Sequence, residues 1–475
     1  MICVTGAEDT TAALARRLER HPDAMHEVRL DHLEAVDDDL FALLGRHAGR
    51  VVACARAGRQ GGAFAGHEAE RGRLLVRAAE AGVNYVDVEA DADDALLDAV
   101  GRRRVVLSWH DFDAIPDDVD ERVRAMVARD PAVVKVAFAM EDARDLATLL
   151  TLRPTIPKQA VLIGMGAAGL LSRTHYARFG SGWTYVAASP ELATAPGQLD
   201  VVAAQLHGLP DTATKPLCAL VGGPQVMSSP GPRVYNALFR ELQLDWSYVP
   251  VVTRSLAGVL PLLEALDARG LSVTMPLKRQ AFDRSEPDAL AERLEAVNSL
   301  ARRGDRWLGR NTDVAGVIAP LTEVLADVSP AARTALVLGA GGAARAAVAA
   351  LDELGLEVVV AARREERARA IASRTLSWSA RTDADVDVLI NATPVVGDDS
   401  PWPTDGPFPR VVFELALGAP SRLLADARAA GCTTLDATRM WIHQGAAQMG
   451  WFLDRELEAA DLDRHLAETR AGGSP

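Results

Sequence analysis

Lysine is rare in this chain, and its few occurrences are the first candidates for chemistry. Of 51 basic residues only four are lysines: Lys135, Lys158, Lys215 and Lys278. Arginine stays protonated, whereas a lysine shielded from water can lose its proton and attack a carbonyl carbon or protonate an oxygen. We interpret Lys158 and Lys215 as surface residues kept by chance. The residues around Lys135 and Lys278 favour a chemical role for those two.

Lys135 stands inside the apolar run Val133-Val134-Lys135-Val136. A strand there would point the amine into a buried interior, where we expect burial to depress its pKa. His110 ends an earlier apolar run and is a candidate general acid or base. Arginines near both residues suit a substrate with a carboxylate. The polar residues at or after the other runs of this half are Glu27, Arg29, Asp31, Arg56, Asp87, Glu89, Ser108, Arg173, Thr194 and Gln198.

Eight short β-branched runs alternate with amphipathic stretches through about residue 205, and they must position these side chains. The runs are ICVTG, EVRLD, VVACAR, YVDVE, VVLSWHD, VVKVAF, AVLIGMG and WTYVAAS. Eight consecutive strand–helix units predict an α/β fold with an N-terminal (βα)8 TIM barrel. Active sites of such barrels lie at the carboxyl ends of the strands. A plainer interpretation of Glu27 and Arg29 is an internal ion pair that closes the barrel floor.

Five segments of this half together resemble type I 3-dehydroquinate dehydratase. They are Glu27-Val-Arg29-Leu-Asp31, Ser108-Trp-His110-Asp111-Phe112, Lys135, Met165-Gly166 with Ser172-Arg173, and Thr194-Ala-Pro-Gly-Gln198. The resemblance implies that Lys135 forms an imine with the substrate ketone, that His110 moves the protons and that Arg173 holds the substrate carboxylate. It implies a substrate site completed by Glu27, Arg29, Arg56, Gln60, Thr194 and Gln198. Gln60 replaces the usual Glu and supplies no charge to raise the basicity of His110, so we expect a changed rate rather than a changed reaction.

A glycine-rich turn marks the second half of the chain. Gly339-Ala-Gly341-Gly342-Ala343-Ala344 lies between an apolar run and an alanine-rich helical stretch. Backbone amides of such a turn bind a dinucleotide pyrophosphate at the start of the helix. The next strand ends in Arg363-Arg364, where an NAD enzyme would place an acid, so the pattern predicts a Rossmann domain that binds NADP. The alternative is an exposed helix start with solvated charges.

Lys278 and Asp313 form a second candidate pair. Lys278 ends the segment Leu271-Ser-Val-Thr-Met-Pro-Leu-Lys278, and Asp313 ends Gly309-Arg-Asn-Thr-Asp313. Reduction of a ketone needs hydride on one face and a proton for the developing alkoxide. A lysine held by an aspartate is a suitable proton donor, although the same pair could be a surface ion pair.

These segments resemble shikimate dehydrogenase, with added matches at Ala296-Val-Asn298, Asn391-Ala-Thr393-Pro394 and Gln444-Gly-Ala-Ala. The resemblance implies Lys278 and Asp313 as the catalytic dyad. It implies substrate contacts from Ser228, Ser229, Thr274, Asn298 and Gln444. It places NADP on Gly339, Gly341, Gly342, Ala343, Ala344, Arg363, Arg364, Asn391 and Thr393. Three departures lie on the substrate side: the serine stretch is one residue longer, Ser272 replaces Asn, and Leu417 stands where Tyr is common.

Both halves together resemble a fused enzyme of the shikimate pathway, in which the product of the first site, 3-dehydroshikimate, is the substrate of the second. The predicted boundaries are a barrel over 1–208, a linker over 209–216, a catalytic domain over 217–325, the Rossmann domain over 326–440 and a closing helix within 441–475. Two alternatives stay open. The second half could act on quinate, or the chain could be a non-catalytic regulator that senses a metabolite.

Composition restricts the partners. A net charge of −14 argues against nucleic acid, and the longest apolar runs are too short to span a membrane. Four scattered cysteines and the lack of a leader suit a reducing cytoplasm without disulfides or a metal site. We therefore expect small-molecule substrates, NADP as the cofactor and no metal. An oligomer is possible but not indicated by the sequence.

Overall fold

A computed structural model of the chain describes residues 1–210, 214–328, 330–404, 406–417 and 420–471. Contacts divide it into two compact units, the first made of residues 1–268 with 274–277 and the second of residues 269–273 with the chain from Lys278 on. Residues 211–213 of the expected linker lie outside the described residues. The domain boundaries drawn from the sequence stay predictions.

The first unit begins with eight parallel strands, and their many β-branched residues favour the extended backbone of a strand. In β6, for example, both faces are buried and Lys135 is the one charged residue in VVKVAFA. The strands are β1 Ile2–Thr5, β2 Met25–Arg29, β3 Val51–Cys54, β4 Tyr85–Glu89, β5 Val105–Asp111, β6 Val133–Ala139, β7 Gln159–Met165 and β8 Thr184–Ala187.

A helix follows each of these strands, as the sequence pattern predicts. The sheet order is β7-β6-β5-β4-β3-β2-β1-β8, and a parallel bridge from Ala160 to Ser181, just before β8, brings its two edges together. The predicted α/β class with an N-terminal (βα)8 barrel is confirmed. The helices are α1 Thr11–Arg20, α2 Asp38–Arg46, α3 Glu68–Glu80, α4 Asp94–Val100, α5 Val119–Ala128, α6 Ala147–Leu152, α7 Leu170–Thr174 and α8 Val201–Leu206.

The first unit continues beyond the barrel with a parallel pair of strands and two helices. These are β9 Leu217–Gly222, α9 Gly231–Glu241, β10 Ser247–Val252 and α10 Leu256–Ala265. Helix α7 meets β10 through a buried hydrogen bond of 2.8 Å between His175 Nε2 and Ser247 Oγ. The carboxylate of Asp142 also accepts hydrogen bonds from Thr253 Oγ1 and the Arg254 amide. Polar contacts therefore join the barrel to the segment that follows it.

The second unit opens with a short mixed sheet in the order β11-β13-β14-β12. Its strands pair antiparallel except β12 with β14, which are parallel. The elements are β11 Ala268–Val273, α11 Lys278–Asp283, β12 Glu286–Pro287, α12 Ala289–Leu294, β13 Ser299–Arg303, β14 Arg306–Arg310 and α13 Asp313–Leu325.

A fully parallel six-stranded sheet follows in the order β17-β16-β15-β18-β19-β20, which is the Rossmann order with its switch point between β15 and β18. Apolar side chains cover both faces of this sheet. The predicted Rossmann fold is confirmed. The elements are β15 Thr334–Leu338, α14 Gly342–Glu353, β16 Glu357–Ala361, α15 Glu365–Arg369, β17 Thr375–Leu376, β18 Val388–Asn391, β19 Val411–Glu414, α16 Arg422–Ala429 and β20 Thr433–Leu435.

Two helices end the described chain where the sequence pattern predicts one. They are α17 Ala437–Leu453 and α18 Ala459–Ala471. Asp454 ends α17 in a left-handed conformation and donates its backbone N–H to the Gly450 carbonyl, so the chain turns before α18 begins. Helix α17 packs against α13. Within the described residues, no helix is both long enough and apolar enough to cross a bilayer.

Candidate active sites

A cavity opens at the carboxyl ends of the barrel strands. It is the place where a parallel barrel collects side chains from separate strands. Every residue that the sequence predicted for the first site lines this one cavity. These residues are Glu27, Arg29, Arg56, Gln60, His110, Lys135, Arg173, Thr194 and Gln198.

Lys135 lies at the bottom of this cavity and is 4% exposed. Its Nζ donates to Asp87 Oδ2 at 2.9 Å and to Glu27 Oε1 at 3.4 Å. Burial disfavours the ammonium, but the charges of Asp87 and Glu27 outweigh it and raise the pKa of Lys135 above its ordinary value. The expected depression of this pKa is therefore wrong, because two carboxylates, on β4 and β2, hold the positive charge.

Asp87 contacts both cations of the charged cluster, Arg56 and Lys135. Its Oδ1 accepts from Ser108 Oγ at 2.6 Å, and its Oδ2 lies 3.0 Å from Arg56 Nη2 as well as beside Lys135. Burial alone would raise the pKa of Asp87, but the adjacent Arg56 and Lys135 hold it far below its usual range. Asp87 is thus a permanent anion, 1% exposed, between two cations.

His110 is held in one tautomer by Arg56. Arg56 Nη1 lies 3.1 Å from His110 Nδ1. A guanidinium only donates, so Nδ1 accepts and the neutral ring carries its proton on Nε2. Burial, followed by the charges of Arg56 and Lys135, holds the pKa of His110 well below its usual value. The imidazole is therefore neutral near pH 7.

Gln60 contacts the backbone of His110 rather than its ring. Its Oε1 accepts the His110 backbone N–H at 3.3 Å. The turn that carries Gln60 needs glycine at position 62, because a Cβ there would lie 2.0 Å from the Arg56 carbonyl oxygen. The backbone of this turn thus packs directly against the backbone of Arg56, which places Gln60 beside the cavity.

Glu27 and Arg29 do not form the internal ion pair that the sequence left open. Arg29 makes two hydrogen bonds to Asp31, from Nε at 2.9 Å and from Nη2 at 2.6 Å. Glu27 instead accepts from Thr5 Oγ1 at 2.9 Å and from Lys135. Both residues keep their side chains on the cavity wall.

Arg173 has no carboxylate partner among the described residues, although it is only 2% exposed. Its Nη2 donates to the Pro196 carbonyl at 3.2 Å, and its buried Nε has no hydrogen-bond partner. Burial lowers the pKa of Arg173 to about 10. Beside it, Gln198 Oε1 accepts from the Thr194 backbone N–H at 2.8 Å and fixes that loop. An unpaired buried cation at a cavity wall is a site for an anionic group.

In the second unit the predicted dyad is formed. Lys278 Nζ donates to Asp313 Oδ2 in a short contact, with the two side chains 21% and 10% exposed, so the pair is not an ordinary surface ion pair. Asn298 Nδ2 donates to Asp313 Oδ1 at 2.8 Å and to Gln444 Oε1 at 3.4 Å. Asp313 is the first residue of α13, so its carboxylate also sits at the positive end of a helix. Four predicted residues thus meet at one point.

Ser272, which stands where shikimate dehydrogenases usually have Asn, takes part in buried hydrogen bonds of the second unit. Its Oγ donates to Gln448 Oε1 in a short hydrogen bond, and Gln448 Nε2 donates to Ser299 Oγ at 2.6 Å and to the Asn298 carbonyl at 3.2 Å. Sequence reasoning missed Gln448, although it lies four residues after Gln444 and therefore on the same face of α17.

Ser228, Ser229 and Thr274 belong to the first unit and are described there. Ser228 is exposed and donates to the carbonyl of Gln225, whereas Ser229 Oγ accepts the Gly231 backbone N–H at 3.1 Å. Gln225 Nε2 donates to the Met275 carbonyl at 2.7 Å, which ties the serine loop to the turn that carries Thr274. Leu417, the remaining departure, is 55% exposed in the second unit.

The glycine-rich turn leaves the start of α14 open. Gly341 and Gly342 are exposed, a Cβ on either would meet nothing within 4 Å, and no side chain caps the helix. Gly339 has φ +108°, and a Cβ there would lie 2.9 Å from the Ala392 oxygen, so the 391–394 turn abuts this glycine. Ala343 and Ala344 form the first turn of α14, and Ala344 is buried.

Two further features border this turn. Arg363 and Arg364 are exposed just after β16, with no acidic residue between Ala361 and Arg364. Asn391 Oδ1 accepts from the Thr393 backbone N–H at 3.0 Å and from Thr393 Oγ1 at 2.7 Å, so the turn is held rigidly. Open backbone donors beside two arginines suit a doubly phosphorylated ligand.

Comparison with known proteins identifies both halves. The model of the type I 3-dehydroquinase family matches residues 2–206, and that of the shikimate dehydrogenase substrate binding domain matches residues 221–300. The chain is 29% identical over 471 residues to a bifunctional 3-dehydroquinate dehydratase/shikimate dehydrogenase of Arabidopsis thaliana, covering 90% of this chain and 77% of that protein.

The second half has further relatives. A shikimate dehydrogenase (NADP(+)) of Natronomonas pharaonis is 40% identical over 239 residues, covering 48% of this chain and 89% of that protein. A solved quinate dehydrogenase of Corynebacterium glutamicum in complex with NAD aligns with a TM-score of 0.50 at 25% identity, covering 54% of this chain and 99% of that one. The chain therefore belongs to the shikimate dehydrogenase family and carries a type I 3-dehydroquinase domain ahead of that part in the same polypeptide.

Proposed function

We propose that the chain is a bifunctional enzyme of the shikimate pathway, which dehydrates 3-dehydroquinate in the barrel and reduces the resulting 3-dehydroshikimate with NADPH in its second half. The observation that carries the first activity is the unpaired Arg173 in one cavity with Lys135 and His110. A carboxylate on Arg173 would leave the rest of a cyclic ketone to face the amine.

Lys135 supplies the covalent step of the dehydration. Its ammonium first gives a proton to His110, the freed amine attacks the ketone carbon, and the C–O bond breaks as the oxygen leaves as water with the two protons that the nitrogen has lost. The iminium that results is an electron sink and acidifies the neighbouring C–H bond. Arg173 binds the carboxylate, and the ring hydroxyls meet Glu27, Arg29, Arg56, Gln60, Thr194 and Gln198.

His110 moves the protons of this sequence. The neutral ring takes up a proton that the Lys135 nitrogen loses and, as imidazolium, gives it to the departing oxygen, which leaves the ring neutral again. It then removes the acidified C–H proton and, as imidazolium once more, returns that proton to the leaving hydroxyl. Its neutral resting state suits a group that must both give and take a proton near pH 7.

Lys278 and Asp313 serve the reduction. The Lys278 ammonium, held by Asp313, protonates the alkoxide as it forms, and Asn298 keeps the Asp313 carboxylate oriented. Asn298 and Gln444 face the ring of the substrate, and the substrate contacts of Thr274 and of Ser228 or Ser229 stay predictions from the sequence. The mixture of amides and hydroxyls suits a polyhydroxy acid rather than an apolar ketone.

The residues of the Rossmann domain fit NADP. The exposed, uncapped amides of Gly341 and Gly342 would hold the pyrophosphate, and the close approach of Gly339 to the 391–394 turn leaves no room for a side chain. Arg363 and Arg364 would meet the 2′-phosphate, since no carboxylate stands there to bind a free ribose hydroxyl. When bound, the cofactor supplies the hydride.

A coupled assay tests both activities at once. Purified chain receives 3-dehydroquinate with NADPH, and shikimate formation is followed together with NADPH oxidation. We expect one shikimate for each NADPH consumed. Release of 3-dehydroshikimate without NADPH oxidation would contradict the second activity, and inertness toward 3-dehydroquinate with normal use of 3-dehydroshikimate would contradict the first.

Quinate is the second candidate for the dehydrogenase half. The longer serine loop, Ser272 in place of Asn and the exposed Leu417 all alter the substrate side, and one structural relative is a quinate dehydrogenase. Parallel measurements of kcat/KM with shikimate and quinate, each with NADP and NAD, separate the two. The regulatory alternative has no support from the relatives, which are enzymes. The cytoplasmic location stays a prediction.

A further inference from the structure

Tyr185 on β8 contacts the reacting amine, although no sequence motif pointed to it. The centroid of its ring lies 4.3 Å from Lys135 Nζ, and the ring forms part of the cavity wall. The residue is 4% exposed, so water does not compete for this contact. The face of an aromatic ring attracts a cation electrostatically, and more strongly where the site is desolvated.

The nitrogen of Lys135 therefore has ionic partners and an aromatic ring around it. The charged and titratable groups that surround it from the packed elements are Cys3, Glu27, Cys54, Arg56, Asp87, His110 and Arg173. Among these groups the two carboxylates carry the negative charge that favours a positive nitrogen, and the face of the ring adds to their effect. Burial raises the pKa of the Tyr185 phenol well above its usual value, so the phenol keeps its proton and the side chain stays neutral.

We propose that Tyr185 is a further catalytic residue of the dehydration, whose ring face stabilises positive charge on Lys135 Nζ in the ammonium and in the iminium. The inference rests on the proposed Schiff-base function of Lys135. When the neutral carbinolamine loses its hydroxyl as water with a proton from the His110 imidazolium, the nitrogen lone pair forms the C=N bond and the charge appears on Nζ. The ring favours this step and keeps the electron sink charged.

The ring and the hydroxyl of Tyr185 can be separated. The contact with Lys135 is made by the face of the ring and not by the buried hydroxyl. Tyr185→Phe keeps the ring and removes the hydroxyl. Tyr185→Leu and Tyr185→Met fill similar space without a π face, and the unbranched Met adapts if Leu does not pack. Tyr85→Leu removes a ring that stacks on Trp183, and serves as the matched control.

The test follows the pH dependence of borohydride trapping of 3-dehydroquinate on Lys135, together with kcat of dehydration, in the full-length chain. Because loss of the ring lowers the pKa of the amine, we expect the trapping midpoint of Tyr185→Leu and Tyr185→Met to fall by roughly one pH unit, and kcat by roughly tenfold. Tyr185→Phe and Tyr85→Leu should keep the wild-type midpoint. Thermal unfolding curves of the same samples report whether the barrel is folded.

An unchanged midpoint in Tyr185→Leu and Tyr185→Met would overturn the proposal. So would an equal shift in Tyr185→Phe, since the hydroxyl and not the ring would then be responsible. Failure of the wild-type chain to trap substrate would instead contradict the Schiff-base function itself. The two failures are therefore distinguishable.

Discussion

The two lysine sites of this chain differ in how the positive charge of the lysine is balanced. Lys135 is 4% exposed and lies against two carboxylates and an aromatic ring, whereas the side chain of Lys278 is 21% exposed and meets one carboxylate. A nitrogen that must carry positive charge through a covalent intermediate needs permanent compensation away from water. A proton donor needs only orientation and a route by which its proton is replaced.

The acids beside the two lysines differ in the same sense. Asp87 lies between two cations that keep it ionised, while Asp313 is oriented by Asn298 and the start of a helix. The barrel site is thus a closed charge network, and the second site is a hydrogen-bonded pair. Variants at the two sites should therefore differ in their effects on the two activities.

The largest effect is expected from Lys135→Met. Loss of the amine removes the covalent route, so dehydration should fall on the order of 10⁴-fold or more, and borohydride labelling should disappear. Shikimate oxidation should be unchanged because the second site is intact. Lys158→Met, at an exposed ion pair with Asp130, is the matched control. Retained labelling in Lys135→Met would contradict the assignment.

Lys278→Met reverses this pattern. Removal of the proton donor should lower kcat for shikimate oxidation by roughly 10²- to 10⁴-fold, with dehydration untouched. Product analysis and NADPH absorbance measure the two activities in one sample. Lys215→Met is the control, since its partner Asp245 is exposed. A joint loss of both activities would mean that the residue is structural.

Arg173→Met tests whether this buried arginine binds the substrate carboxylate. We expect the KM for 3-dehydroquinate to rise roughly 10- to 100-fold, because a charge-assisted contact is lost. The melting temperature should not fall, since the variant removes a buried cation that no carboxylate of the described residues contacts. Arg122→Met, from a surface ion pair, gives the baseline. Loss of stability with an unchanged KM would show a structural role instead.

A buried acid of the Rossmann domain should show the opposite pH behaviour to Asp87. Burial raises the pKa of Glu414 to about 7, even though Asn391 Nδ2 donates to it at 2.8 Å and the Ala416 N–H at 3.1 Å. A raised pKa costs stability as pH rises from the unfolded value through 7, whereas the lowered pKa of Asp87 stabilises the fold above its unfolded value.

Glu414→Gln should therefore stabilise the chain at alkaline pH. We expect a gain on the order of 3 kcal/mol above pH 7 that vanishes toward pH 4.5, measured as the difference in thermal or denaturant unfolding across pH. Glu323→Gln, on an exposed carboxylate, is the control. A gain that is independent of pH would mean that charge at position 414 is not the cause.

The smallest effect is expected from Gln60→Glu. A carboxylate beside His110 opposes the charges of Arg56 and Lys135, so the pKa of His110 should rise and the acidic limb of kcat/KM should move to higher pH by roughly one unit. Gln159→Glu, at the exposed start of β7, should leave the profile in place. A shift toward lower pH would contradict the assignment of the charges around His110.

Much of the first site could be predicted because it follows from strand ends. Parallel strands end at one rim, so Arg56, His110 and Lys135 had to share a cavity once the eight runs formed a barrel. The same reasoning missed Tyr185, since an aromatic residue in a β-branched run is typical of any strand. It also missed Gln448, whose partners come from a distant part of the second unit.

The pKa of Lys135 shows the limit of such reasoning most clearly. An apolar run predicts burial, and burial predicts a lowered pKa. Which side chains face the amine depends on strand register, and the register places Asp87 and Glu27 there.

The sequence by itself determined the two families, the alternation of strands and helices and the few lysines able to do chemistry, because these depend on residue type and short spacing. Only the tertiary structure decided which charges neutralise one another: Arg29 with Asp31, Lys135 with Asp87 and Glu27, and Arg173 with no carboxylate of the described residues. The physical reason is that electrostatic energy depends on distances of a few ångströms between side chains far apart along the chain.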